Sequence, residues 1–109
     1  MAEDLDALYT QTINEQREYL AKLQQGFNEH CDAITAESEA RLAKNPETDM
    51  ESRQQIFEDQ KRKLDAAISH LRNEIDTSGR ETRKKLEEIN NRREEEKIHD
   101  LEKMMDQVG

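Results

Sequence analysis

Large apolar residues recur at steps of three or four, or two such steps together, through the first two fifths of the chain. They are Leu5, Tyr9, Ile13, Leu20, Leu23, Phe27, Cys31, Ile34 and Leu42. One stripe at helical period predicts an α-helix over about residues 3–44. A second stripe, Phe57, Leu64, Ile68, Leu71 and Ile75, has the same kind of spacing and predicts a second helix. Neither segment carries a second large apolar face, so each helix has one side to bury.

The single proline sits between the stripes, in "LAKNPETDMES". Proline disfavours helix in the residue before it and suits the first turn of a new one. Thr48 and Glu51 have capping-box spacing, and Glu47 and Asp49 suit the positive end of a helix. The first helix is therefore expected to stop near Lys44, with a turn over 45–47 and a second helix from about 47. So short a connection predicts an antiparallel αα-hairpin within one helical domain spanning 1–109. Folding at Asn45-Pro46 would set Ile34 against Phe57, Phe27 against Leu64, Leu23 against Ile68, Leu20 against Leu71, Gln16 against Ile75 and Leu5 against Leu86.

"DTSGRE" interrupts the second half. Ser78 and Glu81 have capping-box spacing and Gly79 is a poor interior helix residue, so a break at 76–79, or a kink at 77–79, is the alternative. It would give a three-helix bundle. Leu86 and Ile89 are too few to cover a third face, whereas the hairpin gives Leu86 a partner in Leu5. One helix from about 47 to 107 is the favoured reading.

The second arm is then the longer one. Residues 90–109 pass the start of the first helix and project about 30 Å if helical, at 1.5 Å per residue. Glu81–Lys85, Lys84–Glu88, Glu88–Arg92 and Arg92–Glu96 are opposite charges at i,i+4, each able to support an exposed helix by about 0.2–0.5 kcal/mol. Past this spacer, apolar character returns on one side at Ile98, Leu101, Met104, Met105 and Val108. That stripe has no partner in its own hairpin, so it is the candidate interaction site, for a second copy of the chain or for another protein. Pairing two hairpins into a dimeric four-helix bundle would also cover Leu8, Ala33, Ala36, Ala40, Ala66 and Ala67 on the flanks.

Composition narrows the function. Charged residues make up 39% of the 109 residues and apolar ones 32%, too little for a compact globule but enough for long helices sharing a narrow seam. A net charge of −9 argues against nucleic acid and anionic membranes as partners. The basic cluster Arg80, Arg83, Lys84 and Lys85 is interleaved with glutamates and has no aromatic residue near it. "MAEDLDAL" lacks the features of a secretory signal, and Cys31 is the only cysteine, which together suggest a reducing, cytoplasmic location.

Catalytic and metal constellations are incomplete. Glu96 and His99 have the Glu-x-x-His spacing of di-iron bundles, but neither His30 nor His70 supplies a second such motif. The segment from Glu74 to Gly79 resembles the start of a calcium loop whose twelfth position is Lys85 instead of Glu. No phosphate loop or nucleophile elbow is present. The expectation is a non-enzymatic protein–protein interaction module without cofactors: an adaptor, scaffold or chaperone-like protein acting through coiled-coil association. The alternative is an amphipathic protein of a lipid surface or inclusion, which the acidic polar face and scarce aromatic anchors argue against.

Overall fold

The computed structural model describes residues 4–47 and 49–108. Two long helices, α1 (Leu5–Lys44) and α2 (Met50–Val108), form an all-α antiparallel hairpin. α2 is continuous through 76–79, so the three-helix alternative is not what forms. Gly79 is accommodated inside the helix without a positive φ.

Each helix starts on an aspartate. Asp4 Oδ1 accepts the Ala7 N–H at 3.1 Å, and its carbonyl accepts the Leu8 N–H. Asp49 does the same for α2: its Oδ1 accepts the Ser52 N–H at 3.1 Å and its carbonyl the Arg53 N–H. A side-chain oxygen in this position satisfies an N–H that has no partner inside the helix. The cap of α2 is thus Asp49, and the helix begins at Met50, not at Glu47. Thr48, expected to cap it, lies outside the described residues. The Ser52 backbone N–H first, and then the Ser52 hydroxyl, hold the Asp49 carboxyl below its ordinary value.

The far end of α1 is closed with equal care. Asn45 Nδ2 donates to the Arg41 carbonyl at 2.7 Å, and Arg53 Nη1 reaches the Leu42 carbonyl at 3.4 Å. Arg41 and Lys44 place positive charge in the last turn, opposite the negative end of the helix dipole.

The chain divides into two units, one of Tyr19–Asp76 and one of Met1–Glu18 with Thr77–Gly109. In the first, Ile34, Ser38, Ile56 and Ala67 are the buried residues among those described. Ile56 is 2% exposed and Phe57 is 53% exposed, which reverses the expected facing of Ile34 on Phe57. Lys63 Nζ donates to Glu37 at 3.1 Å, Arg41 to Asp59 at 3.0 Å, and the Tyr19 hydroxyl to Glu74 at 2.8 Å. The expected register would have set Gln54 near Glu37, so α2 sits farther along than the sequence alone suggested. A connection that runs on to Asp49 accounts for the direction of the shift. Arg41 also depresses the Asp59 carboxyl, first through its hydrogen bond, with smaller Coulombic help from Arg62 and Lys63.

In the other unit, Leu5 and Ile89 are buried, with Leu86 only half-buried. Gln16 makes a polar layer across the helices: its Nε2 donates to the Ser78 hydroxyl at 3.2 Å, and its Oε1 accepts from the Thr82 hydroxyl at 2.8 Å. Ser78, a possible cap only under the alternative of a break, is a seam residue of the continuous helix, and Gln16 meets it where Ile75 was expected.

Candidate association surfaces

Arg93 marks where the two-helix part of its unit ends. Its guanidinium lies 4.5 Å from the centre of the Tyr9 ring, and Nη2 bonds Asp6 at 2.6 Å. Nη1 donates to Asn90 Oδ1 at 3.1 Å, one turn back. The long aliphatic stem and planar head let one residue cover the aromatic ring and reach a carboxylate together. The overhang therefore begins after Arg93, not at residue 90. By sequence Arg93 falls among residues 90–109, the part expected to project past the first helix. The signal that could have found it was the matching pair of Asp6 and Tyr9, one turn apart on α1.

From Glu94 to Val108 every described residue is exposed. This segment is helical, and 15 residues at 1.5 Å each make it about 22 Å long. Ile98, Leu101, Met104, Met105 and Val108 are 56–90% exposed. The seam does not lead into them. Continuing from Ile89 and Arg93 in alternating steps of three and four, the rhythm of a helix–helix seam, passes through Glu96, Asp100 and Lys103. The apolar row is rotated by roughly a quarter turn from that line. It is a separate face, brought together by the helix and left uncovered by α1.

The Tyr19–Asp76 unit carries two further surfaces. On one flank, Gly26, Ala33 and Ala66 open a groove of about 730 Å³ floored by Leu23, Phe27 and Ile34. Lys22, His30, Lys63 and His70 stand around it with Glu37. Three of the small flank residues expected to await a partner, Ala33, Ala66 and Ala67, line this groove, although Ala67 is itself already buried within the hairpin. On the other flank of α2, Phe57, Ile68 and Ile75 are exposed. They are separated by eleven and seven residues, near-whole numbers of turns, and so share one line on the helix.

Chemistry is sparse on all of these surfaces. Among the described residues no group of three or more His, Cys, Asp or Glu side chains is arranged to hold a metal ion. Cys31 is a free thiol, half-buried. No described helix is long and apolar enough to cross a membrane. The ion pairs Arg41–Asp59, Lys63–Glu37 and Arg93–Asp6 cross between helices and lie at or near the surface, where each contributes at most about 1 kcal/mol. Compared with protein family profiles, curated proteins and solved structures, the chain matches none.

Proposed function

We propose that this chain is a non-enzymatic protein–protein interaction module, an adaptor, scaffold or chaperone-like helical protein of the cytoplasm that works by coiled-coil association. The observation that carries this reading is the exposed apolar row from Ile98 to Val108, on a helix that has run past its own partner. A helix with a narrow apolar face is the form in which helical partners recognise each other, through anchors at i, i+3, i+4 and i+7. Met104 and Met105 add side chains that adapt to an irregular surface. The capped, continuous α2 presents the row already helical, so little ordering entropy is spent when the end is covered.

Asp100, Glu102 and Asp106 flank the row, which favours a protein surface over an anionic lipid one. The test is the double variant Leu101→Asp with Met105→Asp, compared with wild type in pull-downs from the native cell. Loss of partner capture at unchanged helicity is the expected result. Retention of every partner shows that the C-terminal end is not the binding surface, and flotation with liposomes would then become the next assay.

A further inference from the structure

The identity of what covers the C-terminal end is written in its heptad positions. Ile98, Leu101, Met105 and Val108 follow one another by three, four and three, so they occupy a, d, a and d of two successive heptads. All four are exposed on a continuous helix. The b, c and f positions hold His99, Asp100, Lys103, Asp106 and Gln107, all polar. A β-branched residue at a with leucine at d favours two parallel strands, and Ile98 and Leu101 supply that pair.

The flanking charges agree on both partner and direction. Lys97 is at g and Glu102 is at the following e. In a parallel pair of identical chains, g of one helix lies beside the next e of the other. Lys97 of each copy then meets Glu102 of its mate, twice by symmetry. In an antiparallel pair centred on the same row, e faces e, and the two Glu102 carboxylates would oppose each other. Glu94, one heptad before Leu101, is at d. Its carboxylates would face each other in a parallel pair, so pairing starts after it.

We infer that residues 97–108 of two copies of this chain associate as a short parallel two-stranded coiled coil, joining the hairpins by their C-terminal ends. This rests on the proposed function and names its partner. The contact is small, so it forms a dimer that depends on concentration and weakens with salt. Each single charge reversal converts two attractions into two repulsions and weakens the dimer by about tenfold.

Sedimentation equilibrium of the full chain, over a series reaching high micromolar concentration, reads this directly, with circular dichroism confirming helicity. Wild type is expected to dimerise, while Lys97→Glu and Glu102→Lys are each shifted to monomer. Mixing the two variants restores a dimer, because each now offers what the other lacks. In a Cys31→Ser background, Val108→Cys is expected to form a disulfide between copies on mild oxidation, since like d positions face each other only in the parallel pair. A dimer that survives Leu101→Asp with Met105→Asp overturns the inference and points to the groove beside Ala33 and Ala66. A monomeric wild type whose C-terminal end still captures a different protein overturns it too, while leaving the proposed function standing. Failure of the mixed variants to recover, with no cross-link at residue 108, excludes the parallel arrangement.

Discussion

Replacing Arg93 by alanine isolates what holds the first turns of α1 to α2. The arginine makes three contacts there, and their sizes differ. Its stack on Tyr9, at 4.5 Å to the ring centre, is worth about 0.5–1 kcal/mol at a partly exposed site. Its ion pair with Asp6 is short, at 2.6 Å, but the Asp6 side chain is 87% exposed. Solvent therefore screens that pair to a few tenths of a kcal/mol, about 0.2–0.5. Loss of the packed stem adds a comparable amount. Arg93→Ala should thus cost about 1–2 kcal/mol, and Asp6→Asn no more than about 0.5 kcal/mol. Arg93→Met, which keeps the stem, should fall between the two. Because the contacts lie near the start of α1, the loss appears as local opening and leaves the Tyr9-distant turns intact. Hydrogen exchange at the amides of residues 8–13 is the assay, with about a tenfold rise expected for Arg93→Ala, and little change for Asp6→Asn. If Asp6→Asn accelerates exchange as much as Arg93→Ala, the Coulombic contact dominates and the ranking of effects is wrong.

Other consequences are equally open to measurement. Ile56→Ala should destabilise by about 2–3 kcal/mol in urea unfolding, and Phe57→Ala by much less, because the first is 2% exposed and the second 53%; equal losses would put the wrong residue in the seam. A methyl group added at Gly26 or Gly79 meets nothing within 4 Å. Gly26→Ala and Gly79→Ala should each raise stability by about 0.5–1 kcal/mol, and a fall in melting temperature would reveal a close approach at that site. Asp49 has a folded pKa depressed below its ordinary value of 3.8, so its ionised cap contributes fully above that value and is lost as pH falls through the lower, folded one. Asp49→Asn keeps the capping oxygen but not the charge. The melting-temperature gap between wild type and this variant should therefore close below pH 3.8, and a gap unchanged in acid contradicts the ionised cap.

Periodicity and turn chemistry were enough to read the hairpin from the sequence, because both act locally. The apolar stripe needs only a helix to line up, and Asn45-Pro46 disrupts the chain whatever surrounds it. Register was harder. Following the largest side chains led to Phe57, Ile68 and Ile75, whereas the seam runs through small and polar residues such as Ser38, Ala67, Gln16 and Ser78. In a helix pair these residues let the backbones approach, and a wheel drawn for large residues passes them by. Gly79 was different: a glycine that could break a helix offers only the alternative, and the favoured single helix is what forms. Arg93 was missed because its role depends on Tyr9 and Asp6, distant in sequence. The exposed row at the C-terminal end was the easiest surface to foresee, since its place beyond α1 follows from the unequal arm lengths. Its separation from the seam became visible only once Arg93 fixed where the seam ends.

The claim that matters most is that the end of α2 is where another chain binds. Lysine cross-linking in the native cell, followed by mass spectrometry, tests it without assuming the partner. Lys97 and Lys103 flank the exposed row, while Lys22, Lys44, Lys61 and Lys63 lie on the Tyr19–Asp76 unit. Cross-links to other chains should concentrate on Lys97 and Lys103, and disappear in Leu101→Asp with Met105→Asp. Cross-links confined to Lys22, Lys44, Lys61 and Lys63, and unchanged in that variant, would show that the hairpin arms, and not the projecting end, make the association.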